Sequence, residues 1–292
     1  LNRINKGCGD CLYANTRNFS KNKINRAFLT DLLNEKFLKK IKKVPIRLHK
    51  IIVKKYNFLK RLASGIKILL QNKKSGKESY SQCGEDLIAN FIFSVLGIKN
   101  PSYLDIGAFD PHNMNNTYIF YKKGCKGINI EPNPKLFPKL KKYRKNDTNL
   151  NIGISQNNET LNYYMFDAPA LNTFSEDSAI KLEKETKHKM LEARKIETKN
   201  LNYIIEKYND NIFPDFLSVD TEGLDKDILD SINYNNGPKV ICTESISYSE
   251  NNDGKKDEDI LNLLRSKGYM LFADTHINSI FVKEDLWRKK KN

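Results

Sequence analysis

The stretch that decides the fold is Tyr103-Leu-Asp-Ile-Gly-Ala-Phe109. Its apolar residues predict a short buried strand over 102–106, and Gly107 predicts a tight turn immediately after it. In open α/β sheets, ligands gather beyond the carboxyl ends of the strands. A strand that delivers Asp105 to that end and then turns on a glycine is therefore a candidate binding turn. Glycine lets a ligand approach the backbone where a Cβ would intrude, and the carboxylate accepts hydrogen bonds from an amine or a hydroxyl.

On both sides of this stretch the chain alternates helix and strand. Helices are expected at 82–96, 136–143, 179–192, 201–208, 225–232 and 258–267. Strands are expected at 126–130, 150–155, 195–199, 215–219 and 239–242, with an extra extended segment at 159–166. Two final strands, at 269–273 and 279–282, are close enough to form an antiparallel hairpin. Such alternation predicts a mostly parallel sheet covered by helices on both faces.

The informative residues are those that end each strand. Glu131 ends the second strand, 26 residues after Asp105 and 24 after Gly107, where a nucleotide site places an acid for the ribose hydroxyls. With one glycine rather than the three of a dinucleotide fingerprint, the turn is poorly built to cradle a pyrophosphate. An adenosine ligand without phosphates fits it better than NAD. Ser155 ends the third strand and joins the cofactor-binding set. Phe216-Leu-Ser-Val-Asp-Thr-Glu-Gly-Leu224 brings Asp220 and Glu222 to the same end of the sheet, and Glu244 ends the next strand. These acids suit a substrate hydroxyl, its proton or a divalent cation. With no histidine cluster among them, Mg²⁺ or no metal at all is expected rather than a transition metal. The bland reading of Glu222 and Asp220, as acids capping the following helix, stands beside the functional one.

Charge divides the chain. Residues 1–78 hold 21 Lys/Arg against 4 Asp/Glu, whereas residues 79–292 hold 29 against 31. A basic helical extension over 1–78, with helices at 27–41 and 44–70, thus precedes a nearly neutral domain over 79–292. Such an arm suits an anionic membrane surface, nucleic acid or an acidic partner, or is simply a solvated pair of basic helices. The most apolar part of it, 51–70, is interrupted by Lys54, Lys55, Lys60, Arg61 and Lys67, so it suits the surface of a membrane rather than its interior. No signal-peptide apolar core is visible in the given sequence. The expectation is a cytoplasmic protein, peripheral at a membrane if the arm binds lipid. Five cysteines argue against a disulfide framework. Cys8 and Cys11 form a lone C-x-x-C without a second pair, and Cys83, Cys125 and Cys242 read as packing residues.

Over residues 79–283 the chain resembles the FkbM-type methyltransferases, within the class I Rossmann-like methyltransferases. The resemblance rests on ordered motifs. They are Tyr80-Ser-Gln-Cys-Gly-Glu-Asp86, Tyr103-Leu-Asp-Ile-Gly-Ala-Phe-Asp-Pro111, Asn116-Thr-Tyr-Ile-Phe-Tyr121, Gly127-Ile-Asn-Ile-Glu-Pro-Asn-Pro134, Asp215-Phe-Leu-Ser-Val-Asp-Thr-Glu-Gly223 and Phe272-Ala-Asp-Thr-His-Ile-Asn-Ser-Ile-Phe281. The resemblance implies a doubly wound, seven-stranded Rossmann-like sheet. It also implies S-adenosylmethionine held against Asp105, Gly107 and Glu131 with help from Gln82 and Glu85, and methyl transfer to a hydroxyl of a sugar, glycan or secondary metabolite. Such chemistry asks for proximity and a base within reach of that hydroxyl. Asp220 is the first choice for this role, with His276 and His112 next, both at expected rims of the pocket. Two other classes compete. A methyltransferase of RNA or another nucleic acid would grip phosphates with the arm, but the arm lacks interleaved aromatics and the chain has no Asp/Asn-Pro-Pro-aromatic motif. A non-catalytic binding module would not need Asp105, Glu131 and Asp220 together.

Overall fold

A computed structural model describes residues 76–246 and 254–289, with isolated positions at 45, 53, 54, 58 and 61. The basic arm, its expected helices and the Cys8/Cys11 pair thus lie outside the described residues, apart from those isolated positions. The fold below belongs to a unit running from Glu78 to Asn292.

Its centre is a seven-stranded sheet. In chain order the strands are β1 (Tyr103–Ile106), β2 (Gly127–Ile130), β3 (Thr148–Leu150), β7 (Phe216–Val219), β8 (Val240–Glu244), β9 (Tyr269–Asp274) and β10 (Asn278–Lys283); β4 to β6 lie in a second sheet. The spatial order is β3-β2-β1-β7-β8-β10-β9. The first five are mutually parallel, and β10 runs antiparallel between β8 and β9. The expected mostly parallel Rossmann-like sheet with its terminal hairpin is therefore present. The chain order turns back between β1 and β7, and in such sheets that reversal opens a crevice for a ligand.

Side chains alternate across each strand, and the two faces differ. Leu104, Ile106, Ile128, Ile130, Leu217, Val219 and Ile241 pack with α5 (Leu201–Tyr208), α6 (Asp225–Asp230) and α7 (Glu258–Ser266). Tyr103, Phe216, Val240, Cys242 and Ile280 pack on the other face with α1 (Glu85–Leu96) and α2 (Tyr118–Lys122). Each fully buried Leu or Ile contributes about 1.5–3 kcal/mol, so near-continuous apolar strands are what a doubly covered sheet requires. The α7 helix begins where Asp257 caps it, accepting from Asp259 N–H at 3.0 Å and Ile260 N–H at 3.1 Å. Two short helices lacked a sequence signal, α2 and the closing α8 (Glu284–Lys289).

The region between β3 and α5 departs from expectation. The single strand expected at 150–155 is two, with β3 in the main sheet and β4 (Gly153–Ile154) in a separate sheet of order β4-β6-β5. Its other members are β5 (Glu159–Phe166) and β6 (Met190–Lys199), antiparallel to each other. The helix expected at 179–192 is α4 (Glu176–Glu185) and stops early. Thr186 turns extended, and its Oγ1 donates to the Leu182 carbonyl at 2.7 Å. From Met190 onward, pairing with β5 overrides helical propensity, so the strand expected at 195–199 is the second half of a longer one. Between β5 and α4 a 3-10 turn (Pro169–Leu171) leads to Asn172. Tyr164, Phe166, Leu171, Ala179 and Leu182 give this insert its own small core. Among the described residues, no helix is long and apolar enough to cross a membrane. α3 (Phe137–Tyr143) follows β2 as expected.

Candidate active site

At the carboxyl ends of β1, β2, β7 and β8 lies a cavity of about 240 Å³. Gln82, Gly107, Glu131, Asp220, Glu222, Glu244 and His276 all line it. Its floor is stitched tightly. The amides of Gly107 and Ala108 both donate to the Ile130 carbonyl at 3.0 Å, and the Asp220 amide donates to the Ile106 carbonyl at 3.0 Å. Gly107 has φ +80°, and a Cβ there would come within 1.8 Å of the Asp220 carbonyl oxygen. Only glycine allows the nucleotide turn and the β7 terminus to close this far.

Glu131 is 3% exposed and pre-oriented. The Phe109 amide donates to Oε2 at 2.8 Å and the Asn133 amide to Oε1 at 2.7 Å. Phe109 adopts φ +47° in the turn that presents its amide to this carboxylate. Each oxygen keeps further lone pairs for a ligand. Burial raises the carboxyl, the two amides oppose it, and repulsion from Asp105 and Asp220 adds to the rise, leaving its pKa at about 7.

Asp220, Glu222 and Glu244 cluster in the same cavity, with one oxygen from each lying within 4.8 Å of the others. Asp220 opens onto the cavity, but protein crowds it elsewhere; burial, then Asp225 and Asp105, push its pKa up to about 7. Burial and repulsion from Asp220 and Asp225 push Glu244 up to about 9. Burial, then Glu244, Asp220 and Asp225, raise Glu222 as well. Among the described residues no Lys or Arg forms an ion pair with any of the three. At neutral pH the cluster therefore holds protons as well as charge, and its oxygen-only donor set also suits a hard divalent cation.

The loop that presents these acids is held from both sides. Asp225 accepts from Thr221 Oγ1 at 2.9 Å and from the Thr221 and Gly223 amides at 3.3 Å. Thr173 Oγ1, from the inserted sheet's side, donates to the Glu222 carbonyl at 2.7 Å. Glu222 itself sits at φ +55°, a left-handed conformation costing a non-glycine residue about 1–3 kcal/mol. Four hydrogen bonds of about 1 kcal/mol each offset that. A second cavity, of about 490 Å³, meets the first at Glu222, Glu244 and Ile246.

Four expected site residues lie away from the cavity. Alternation puts Asp105 on the α1–α2 face, in register with Asn129 and Ser218. There its Oδ2 accepts from Thr117 Oγ1 at 2.8 Å and Asn115 Nδ2 at 3.1 Å. Burial still raises its pKa, against the pull of nearby Arg144 and of these hydrogen bonds. Arg144, fully buried, closes the layer by pairing with Asp147 at 2.8 Å. Asp105 thus holds the loop above it through Thr117 and Asn115 and is not among the residues lining the cavity. Glu85 accepts from Thr275 Oγ1 at 2.7 Å, Asn278 Nδ2 at 3.2 Å and the Cys83 amide at 2.8 Å. Burial alone would raise Glu85, but these bonds outweigh it and lower its pKa; it ties α1 to the final hairpin. Ser155 Oγ is engaged with Thr198 Oγ1 and the Asn157 carbonyl, both at 2.8 Å. His112 packs between Tyr118 and Tyr143, ring centroids 4.7 and 5.0 Å away, and burial lowers its pKa. As a catalytic base His112 is misplaced. His276 sits on the rim, in the β9–β10 turn at φ +76°.

Sequence reading missed three polar liners, Thr221 beside Asp220, Tyr163 on β5 and Asn172 after the 3-10 turn. Tyr163 belongs to an alternating segment, and Asn172 is the kind of residue that stabilises turns through its own side chain, but neither signal points at a ligand.

The profile of the methyltransferase FkbM domain matches residues 105–271. No curated protein matches the sequence. Among solved structures, a TehB-like SAM-dependent methyltransferase from Corynebacterium glutamicum is 10% identical with a TM-score of 0.35, over 75% of this chain and 96% of its own. A precorrin-6y C5,15-methyltransferase from Geobacter metallireducens is 13% identical with a TM-score of 0.35, over 67% and 87%. A Burkholderia thailandensis 1,6-didemethyltoxoflavin-N1-methyltransferase, solved with 1,6-didemethyltoxoflavin and S-adenosylhomocysteine, is 10% identical with a TM-score of 0.34, over 82% and 89%. Likenesses this distant do not bear on chemistry.

Proposed function

This chain belongs to the FkbM methyltransferase family, and we propose that it transfers a methyl group from S-adenosylmethionine to a hydroxyl oxygen of a sugar, glycan or hydroxylated metabolite. The observation that carries this reading is the pairing of Glu131 with the acid cluster in one cavity. Glu131, fixed by two amides, and Asp220 line the same cavity, whose floor is narrowed at Gly107.

The residues present fit an adenosyl ligand. Glu131 accepts from ribose hydroxyls without moving, because backbone amides already hold both of its oxygens. Ile130, Pro132 and Ile154 supply apolar surface beside it, and the single-glycine turn suits a ligand without phosphates. When bound, the cofactor supplies an electrophilic methyl on a sulfonium. What remains for the protein is to bring a hydroxyl into line and to take its proton. Asp220 has the placement and, with a pKa of about 7, the basicity for that proton. Glu244, with a pKa of about 9, carries a proton at neutral pH and holds the acceptor by donating, and Glu222, also raised by burial, lies beside it. The acceptor enters through the second cavity, which meets the first at these two residues.

Calorimetry tests the cofactor directly. S-adenosylmethionine is expected to bind and NAD not to, and Glu131→Ala is expected to weaken the former by about tenfold to a hundredfold. Binding of NAD instead, or unchanged affinity in the variant, removes the reading. Labelled methyl transfer onto glycans, small hydroxylated metabolites and RNA then selects the acceptor; transfer to RNA alone overturns the hydroxylated-metabolite assignment. We further propose that residues 1–78, with 21 Lys/Arg against 4 Asp/Glu, hold the enzyme at an anionic membrane surface. A chain lacking them is expected to lose binding to phosphatidylserine vesicles at moderate salt, and undiminished binding defeats the idea.

A further inference from the structure

Thr173 joins the inserted sheet to the loop that carries the acids. It is fully buried, and its backbone is pinned to β5. The Tyr164 amide donates to the Thr173 carbonyl at 2.8 Å, and the Thr173 amide donates to the Tyr164 carbonyl at 3.1 Å. The Thr173 hydroxyl makes two further bonds. Oγ1 accepts the Ser175 amide at 2.9 Å and donates to the Glu222 carbonyl at 2.7 Å, across 49 residues of chain. A hydroxyl has one hydrogen, and here it is committed to Glu222. Gly223 sits against the same part of the insert. A Cβ there would come within 2.6 Å of Ser178 Oγ and 3.2 Å of Ser175 Cβ. The acid loop and the insert therefore meet over Glu222 and Gly223.

We infer that Thr173 is a positioning residue for the methyl acceptor: through the Glu222 carbonyl it fixes the left-handed backbone that sets Glu222 at the junction of the two cavities. The inference rests on the methyl-transfer reading above and extends it. Glu222 lines both cavities, so a shift of its backbone moves the threshold between cofactor and acceptor. Its φ of +55° is a conformation that a glutamate keeps only when its surroundings hold it. Among the described residues, Asp225 holds the neighbours Thr221 and Gly223, whereas the bond that reaches Glu222 itself comes from Thr173. The other parts of the site are anchored separately. The Asp220 amide is bonded to the Ile106 carbonyl at 3.0 Å, and Glu131 is held by the Phe109 and Asn133 amides. Releasing Thr173 therefore loosens the acceptor side and leaves the base and the cofactor side in place.

Labelled-methyl kinetics on the full chain, with the glycan or hydroxylated metabolite found to accept methyl, test this beside calorimetry with S-adenosylhomocysteine. Thr173→Val removes the hydroxyl at nearly the same shape. It is expected to raise the acceptor KM about tenfold, with kcat and S-adenosylhomocysteine affinity within about twofold of wild type. A merely structural role would lower the melting temperature and leave KM alone. Thr173→Ser keeps the hydroxyl and should restore the wild-type KM. Because Thr173 acts through Glu222, Thr173→Val should add nothing further on a Glu222→Gln background. Gly223→Ala pushes the loop off the insert without touching Thr173 and should raise KM in the same way; it replaces Thr173→Val if that chain is too unstable to bind S-adenosylhomocysteine. An unchanged KM, a loss that Thr173→Ser does not recover, or additive losses with Glu222→Gln overturns the inference and leaves the methyl-transfer reading intact. A wild type that methylates no glycan or hydroxylated metabolite removes that reading, and this inference with it.

Discussion

Asp105 and Asp220 leave adjacent strands at the same end of one sheet, yet they meet opposite environments. Asp105 sinks into a layer where Thr117 and Asn115 donate to it and Arg144 lies nearby. Asp220 rises into a cavity shared with two more acids, and among the described residues no Lys or Arg pairs with it. Side-chain parity makes the difference, since Asp105 is inside its strand and belongs to one face, whereas Asp220 follows β7 and is free of either. A carboxylate supplied with donors holds structure; a carboxylate deprived of them is available for chemistry.

The largest test of this contrast is Asp220→Asn. It is expected to cut kcat by about 10²–10⁴-fold without lowering the melting temperature, because a neutral amide relieves repulsion from Asp225 and Asp105. A variant that keeps activity in a labelled-methyl assay would make Asp220 a bystander. Asp105→Ala should do the reverse. It removes one acceptor from Thr117 Oγ1 and Asn115 Nδ2, which keep Asn115 Oδ1 and the Ala108 and Asp110 carbonyls, costing about 1–2 kcal/mol in a urea titration, with cofactor affinity close to wild type in the folded protein. If binding is lost while stability holds, the two roles are exchanged.

The pH dependence sharpens the contrast further. Asp220 binds its proton more tightly folded, with a pKa of about 7, than in the unfolded chain, where it is about 3.9. Its favourable contribution to stability is therefore complete below about pH 4 and is lost as pH rises through about 7. Activity moves the other way, because a base must be unprotonated. We expect log kcat/KM to rise with unit slope and level off above about pH 7, and a flat profile would exclude Asp220 as the base. A smaller effect concerns metal. If the three acid oxygens take Mg²⁺, the acidic limb should move down by about one unit when Mg²⁺ replaces EDTA; an unmoved limb means the acids share protons and no cation.

The main sheet was legible because its strands are short apolar runs buried on both faces; the acids after β2 and β7 and at the end of β8 line the cavity, whereas Asp105 does not. The insert was less so. β6 reads Met190-Leu-Glu-Ala-Arg-Lys-Ile-Glu-Thr-Lys199, half of it exposed, with helix-forming residues that only pairing with β5 makes extended. At the site, the sequence gives strand ends but not faces unless parity is counted. Counting from Tyr103, whose ring packs with α1 and α2, would have assigned Asp105 to the same layer. Nothing local marks Asn172 as a residue of the cavity, since its place depends on the inserted sheet that folds over the strand ends.

The antiparallel wedge at the sheet's edge has a consequence for biosynthesis. β9 emerges from the ribosome before β10 but occupies the outermost position, and β10 slips in beside β8. A nascent chain can therefore assemble β1 to β8 early, while β9 waits without its native neighbour. The Asn278 contact to Glu85 forms only when β10 is released. One edge of the pocket is thus completed by the last strand of this sheet to be synthesised.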